Sequence, residues 1–263
     1  MSITFSTRTS TDLSAQRKKQ VYEGKRKVLF ESQDPGAYIC HFTDVVHPDL
    51  PIVSGKGVIN NRISELFFAR LNQLNIPTHF IRRLNMREQL IRATDPFPFK
   101  IKMHTLANND LSERFCLEKG TPLPRTLFEY FMKSSSNPLM SREHIMTFGW
   151  SNEIELDDMT EIARRVHDFL YGYFMAVGLR LVNFTLEFGR LYSGEFMEQS
   201  ELLMIDELSP DTIELQDVAT GDFLSLNMVE TDLATVAATY QHIAERLKVL
   251  HAVNSSSTPL SVG

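Results

Sequence analysis

The sequence predicts a mixed chain of strands and helices, sheet-rich in its N-terminal part and more helical beyond it, and three patterns carry that prediction. Residues 181–189 alternate apolar and polar with period two, as a strand with one buried face does. Residues 58–74 place Ile59, Ile63, Leu66, Phe67 and Leu71 at helical spacing. Asp34-Pro-Gly36 has the turn chemistry that folds two flanking strands into a hairpin.

Taken in order, residues 1 to about 18 are Ser/Thr-rich without an apolar core, so they read as a mobile end and not as a signal peptide. Strands are predicted at 28–30 and 37–42, then the helix at 58–74, which Pro77 keeps from extending. Further strands are predicted at 78–84 and 99–106. Asp157 or Asp158 can cap a helix whose buried stripe is Ile162, Val166, Phe169, Leu170, Tyr173 and Phe174, ending at Gly178. His167 and Arg164 lie off that stripe and read as surface residues. A last helix is predicted at 230–250, with Leu233, Val236, Tyr240, Ile243 and Leu247 on one face and a mobile tail around Ser255.

The chain has 263 residues, 43% of them hydrophobic and 23% charged, an ordinary balance for a folded globular protein. A net charge of −6 argues against general nucleic-acid binding, although Lys18-Lys19 and Lys25-Arg26-Lys27 could attract phosphates locally. No run approaches the about 18 apolar residues of a membrane span. Cys40 and Cys116 lie far apart, with neither disulfide-framework nor zinc-ligand spacing, which fits a reducing, cytoplasmic setting. Neither a nucleic acid nor a membrane is expected as a partner.

The chemistry concentrates in two acidic segments. In 181–189, alternation puts Val182, Phe184, Leu186 and Phe188 on one face and Asn183, Thr185 and Glu187 on the other. Residues 192–195 read as a turn and 202–206 as a returning strand, so a hairpin could bring Glu187 and Asp206 together. Two converging carboxylates suit Mg2+, a hard cation that takes oxygen ligands and shares them with phosphates. A solvated hairpin with an acidic outer face fits these residues equally well. Near the start, Lys25 and Lys27 at a glycine turn can approach a polyphosphate, or can simply be a solvated edge.

Tyr22-Glu-Gly-Lys-Arg-Lys27, Gly55-Lys-Gly-Val-Ile-Asn-Asn-Arg-Ile63, Ile76-Pro-Thr-His79, Glu118-Lys-Gly-Thr-Pro-Leu-Pro124, Leu186-Glu-Phe-Gly189 and Asp206-Glu-Leu-Ser-Pro-Asp211 follow one another as in SAICAR synthetases. From about residue 21 to 250 the chain resembles that family of purine biosynthesis. The resemblance implies an α+β, two-lobed fold of antiparallel sheets with packed helices and an ATP cleft between the lobes. Its expected parts are a flexible segment at 1–20, an ATP-binding lobe at 21–97, a lobe with the metal and substrate site at 98–222, and a returning helix and tail at 223–263. It also implies an ATP-dependent ligase that joins a carboxylate to an amine through an acyl phosphate. Lys25 and Lys27 would contact the nucleotide phosphates, and Glu187 and Asp206 would hold Mg2+, with Lys25, Glu187 and Asp206 the catalytic candidates. The other partners would be small carboxylate and amine substrates, and a homodimer is left open.

The acceptor side departs from the family pattern. Where the family reads Arg-Asn-x-Ala-Ala-Gly-Ser, this chain has His104-Thr-Leu-Ala-Asn-Asn-Asp110. Asn183 and Thr185 stand for an aspartate and a lysine, Glu214 for an arginine, and the early acidic loop is Asp44-Val-Val-His-Pro-Asp49. The expected substrate pocket is Asp44, His104, Asp110, Asn183, Thr185, Asp211 and Glu214. Because carboxylates opposite a phosphate repel it, the leading expectation is a ligase acting on a substrate other than the purine ribotide. Alternatives are a genuine phosphoribosylaminoimidazole-succinocarboxamide synthase and a non-catalytic nucleotide-binding protein.

Overall fold

A computed structural model describes residues 19–47, 52–193, 199–224 and 233–250. Two antiparallel sheets organise them. The N-terminal sheet contains β1 (Gln20–Glu23), β2 (Lys27–Glu31), β3 (Ala37–Phe42), β4 (Phe80–Arg83) and β5 (Glu88–Arg92), in the order β1-β2-β3-β5-β4. The second sheet contains β6 (Asp95–Leu106), β7 (Pro122–Met132), β8 (Leu139–Met140), β9 (Leu179–Ser193), β11 (Ile213–Asp217) and β12 (Phe223–Leu224), with β10 (Gln199–Ile205) paired to β9.

Helix α1 (Lys56–Gln73) buries Ile59, Ile63, Phe67 and Leu71 of the stripe that its periodicity predicted, and Phe68 with them, while Leu66 is only partly buried. Its first turn lies against the end of β3. A Cβ on Gly57 would sit 2.4 Å from the Phe42 carbonyl oxygen, so only glycine permits that approach. The short helices α2 (Asn109–Phe115) and α3 (Arg142–Thr147) follow β6 and β8.

Helix α4 (Glu153–Ala176) begins earlier than the sequence suggested. Asn152, not Asp157 or Asp158, is its N-cap, and the Glu155 side chain returns to the Asn152 backbone N–H to complete a capping box. Two acidic residues already inside the helix had looked like caps. Its buried stripe is Leu156, Met159, Ala163, Val166, Leu170 and Phe174, and it covers the apolar face of the second sheet. His167 is more enclosed than its off-stripe position implied, with its ring stacked on Phe184 and Nε2 3.1 Å from the Thr105 hydroxyl. Phe67 of α1 meets Phe174 edge-on at 5.3 Å, which joins the two helices in one core.

Helix α5 (Leu233–Arg246) buries Val236, Tyr240 and Ile243 and touches α1. The predicted helix start at 230, the turn residues 194 and 195, Pro48 and Asp49 of the early loop, and both expected mobile ends up to residue 18 and around Ser255 lie outside the described residues.

Candidate active site

Strand β9 organises the site. Its even residues Val182, Phe184, Leu186 and Phe188 are buried under the core, and its odd residues Asn183, Thr185 and Glu187 face the other way. β6 pairs alongside with Lys100 opposite Glu187, Lys102 opposite Thr185 and His104 opposite Asn183. Phe99, Ile101 and Met103 fill the core side of β6, so alternation turns the two lysines and His104 onto the polar face. β10 returns antiparallel with Ile205 opposite Glu187, which puts Asp206 at the strand end beside it.

Two polar groups share this face. Around Asp206, Lys27 forms a short ion pair with the Asp206 carboxylate and a second one, 2.9 Å long, with Glu207. Lys133 pairs with Glu187 at 2.6 Å. Burial and the neighbouring Asp206 charge together raise the Glu187 carboxyl above its ordinary range. Burial would raise Asp206 as well, but Lys27 outweighs it and holds that carboxyl low. Burial also opposes the charge on Lys27, yet Asp206 and Glu207 hold its ammonium protonated well above the usual range. Asp206 itself has φ 73°, a left-handed conformation that aspartate tolerates better than most residues. His79, threaded next to β10 by its N–H bond to the Met204 carbonyl, is kept neutral by burial, with its pKa lowered to about 3.

Asp211 ends the same loop in a buried knot. Its carboxylate takes Lys56 at 2.5 Å and a short hydrogen bond from the Tyr240 hydroxyl, with Arg26 at 3.7 Å. The residue expected in the substrate pocket thus ties α1, the β1–β2 turn and α5 together.

The second polar group lies further along the face. Glu214 of β11 is buried and accepts from the amides of Asn183 and Asn108. Glu129 of β7 receives both Arg114 terminal nitrogens, at 2.8 and 2.7 Å, and Arg114 also reaches Asp110 at 2.8 Å. His104 Nε2 is 3.0 Å from Glu129, and burial lowers the imidazole pKa despite that contact, so the ring is neutral. Lys102 sits among Glu214, Asp110 and Glu129, whose charges only partly offset the effect of burial in lowering its pKa.

Two candidates stand apart. Asp44 receives Arg87 through both oxygens and the N–H groups of Gly55 and Gly57, so its carboxylate anchors the start of α1. Lys25 is exposed in the β1–β2 turn. Sequence reasoning passed over Lys100, Lys102, Arg114 and Lys133, and placed Tyr240 only on the apolar face of the last helix. Only the period-two pattern of Lys100-Ile-Lys-Met-His104 could have drawn attention to the first two.

The donor set at Glu187 and Asp206 suits Mg2+. Glu187 and Asp206 are close enough for one to raise the proton affinity of the other, and Mg2+ takes one or two carboxylates while sharing phosphate oxygens. No cluster of three or more His, Cys, Asp or Glu ligands occurs among the described residues, which leaves an all-protein cage out of the reading.

The SAICAR synthetase family model matches residues 20–247. The chain belongs to the SAICAR synthetase family. It is accordingly an ATP-dependent ligase that forms C–N bonds. The phosphoribosylaminoimidazole-succinocarboxamide synthase of Rhodospirillum centenum is 43% identical over 240 residues, covering 89% of this chain and 93% of that protein. The crystal structure of the Ehrlichia chaffeensis synthase superimposes with TM-score 0.83 at 34% identity, covering 89% of this chain and all of that one. A Type-2 SAICAR synthetase in complex with ADP follows at TM-score 0.77 and 28% identity, covering 86% of this chain and 96% of the other. No helix among the described residues is long and apolar enough to cross a membrane.

These relatives overturn the expectation of a substrate other than the purine ribotide. Several proteins at 40–45% identity over most of the chain carry the synthase name. The physical error lay in counting only the aligned positions. The polar face around Asn183 keeps cations on Lys102 and Arg114, which no aligned family position had pointed to, so the changes to His104, Asp110, Thr185 and Glu214 do not strip it of positive charge.

Proposed function

We propose that this chain is a phosphoribosylaminoimidazole-succinocarboxamide synthase, which joins the ribotide carboxylate to the amine of aspartate as ATP is converted to ADP and phosphate. The observation that carries the proposal is 43% identity to a synthase of that name over 89% of the chain. The polar face of β6 and β9 agrees with it. Lys27, anchored by Asp206 and Glu207, stands ready to exchange those carboxylates for nucleotide phosphates, and exposed Lys25 extends that reach. Glu187 and Asp206 would hold Mg2+, which neutralises phosphate oxygens when bound. The nucleotide lies between the two sheets, with β2 supplying Lys27 from one and β9–β10 the carboxylates from the other. The acceptor face of Asn183, Thr185, His104 and Glu214 then orients the ribotide carboxylate for in-line transfer, and alignment supplies most of the rate. Two free thiols fit the cytoplasm as the setting.

The test is direct. Purified protein supplied with the ribotide, aspartate, Mg2+ and ATP should release ADP and the succinocarboxamide at a rate on the order of 1 s⁻¹ or faster. No product from this pair would overturn the proposal.

A further inference from the structure

We propose that Lys100 contacts the phosphoryl group in flight, its ammonium meeting the phosphoryl oxygens between the nucleoside triphosphate and the substrate carboxylate. The inference rests on the ligase reading above and adds a catalytic residue to it.

Position comes first. Lys100 is opposite Glu187 on β9, and the burial of Phe99 and Ile101 leaves its side chain only the polar face. Two residues on, Lys102 is opposite Thr185 and His104 is opposite Asn183. Lys100 therefore stands at the junction between the Glu187–Asp206 end and the acceptor end, where a phosphoryl group must cross.

Pairing comes second. Lys27 has Asp206 and Glu207, Lys133 has Glu187, and Lys56 has Asp211. Among the described residues, Lys100 has neither a hydrogen bond nor an ion pair within 4.0 Å, although it is half-buried. A partly desolvated ammonium without a partner costs stability, and such groups gather where a ligand supplies the missing charge.

Charge balance decides which lysine. Lys102 is surrounded by Glu214, Asp110 and Glu129, and with Arg114 beside them its neighbourhood is net negative once His104 is neutral. Near Lys100 the carboxylates of Glu187, Asp206 and Glu207 are matched by Lys27, Lys133 and Lys100 itself, so this group balances where the one around Lys102 does not. Anionic charge developing beside Lys100 meets an ammonium that no carboxylate holds within ion-pair distance, whereas Lys102 is already enclosed by three carboxylates.

In the step served, a carboxylate oxygen bonds to the γ-phosphorus as the bond from that phosphorus to the β,γ-bridging oxygen breaks, its electron pair leaving with the diphosphate. The amine nitrogen then bonds to the acyl carbon, the C–O bond to phosphate breaks with its pair, and the amine proton passes to the released phosphate. Lys100 remains protonated throughout.

The experiment compares full-length wild type with Lys100→Met, Lys100→Gln and Lys100→Arg. Turnover is measured with the ribotide and aspartate, and ADP binding by calorimetry with and without fluoroaluminate, a mimic of the phosphoryl group in transfer. The expected result is a fall of about a hundredfold in kcat for Met and Gln, ADP affinity within about threefold of wild type, and loss of the tightening that fluoroaluminate gives. Unchanged ADP binding also shows that the variants fold. Arginine, which keeps the charge, should retain both signals in large part. Equal kcat in wild type and Lys100→Met overturns the inference and leaves the ligase reading intact, as does a loss of ADP affinity as steep as the loss of kcat. If the wild type does not turn over this substrate pair while Lys100→Met still loses the fluoroaluminate effect, the acceptor assignment fails and the role of Lys100 stands.

Discussion

Replacing Asp211 with asparagine should destabilise the protein more than replacing the lysine it holds. The Lys56 and Asp211 side chains are 0% and 1% exposed, and Lys56 has no other ion-pair partner among the described residues. Asp211→Asn keeps the shape and an acceptor oxygen but leaves a fully buried ammonium uncompensated, which costs about 3–5 kcal/mol. For a chain of this size that corresponds to a melting temperature lower by roughly 6–20 °C. Lys56→Met strands the carboxylate less severely, since Tyr240 and Arg26 still hold it, and should cost less. Removing both charges with Lys56→Met and Asp211→Leu should recover much of the loss, because a buried ion pair competes poorly with apolar packing of equal volume. Urea unfolding of the three variants at neutral pH is the assay. A cost below about 1 kcal/mol for Asp211→Asn would mean that another anion or water reaches Lys56, and the closed knot would be refuted.

Glu187→Gln and Asp206→Asn should each raise the Mg2+ concentration needed for ADP release by at least about tenfold, and unchanged turnover at limiting Mg2+ would show that these carboxylates are not the ligands. Arg114→Ala should cost about 2 kcal/mol at neutral pH by freeing Glu129. Burial alone would raise the Glu129 pKa, but His104 and Arg114 lower it from 4.5 to about 2, so the stabilisation is complete above 4.5 and fades as pH falls toward 2. Wild type and Arg114→Ala should therefore converge in urea midpoint on acidification, and a constant gap would contradict the pairing. Burial pushes the Cys40 thiol up to about 12, whereas Cys116 is exposed, so a thiol reagent at mildly alkaline pH should modify Cys116 quickly and Cys40 only on unfolding. Two fast equivalents would refute that.

The site was legible in the sequence where a single strand carried the pattern. In β9 one face is wholly buried, so alternation alone separated Asn183, Thr185 and Glu187 from the core residues, and the β9–β10 pairing followed. Strand β7 was missed because Pro122 and Pro124 open it and much of its first half is solvent-exposed. Missing β7 hid Glu129, and with it the setting of His104. The contacts of Lys133 and Tyr240 were invisible for another reason: their partners Glu187 and Asp211 lie far away in the chain, and no local pattern encodes that closure. The acceptor was misjudged for the same reason, since substitutions were read one by one while the balancing charges came from other elements.

The continuity of β9 limits how the protein can move. One unbroken strand carries Asn183 and Glu187 on the same polar face, clamped on its sides by β6, β10 and β11. Segments bonded in this way open together in hydrogen exchange, as one cooperative unit. The β1–β5 sheet and its Lys27 are therefore expected to open independently of this floor, which carries Asn183, Thr185 and Glu187 together. Amides of 183–187 should exchange at one common slow rate, and those of β1 and β2 well before them.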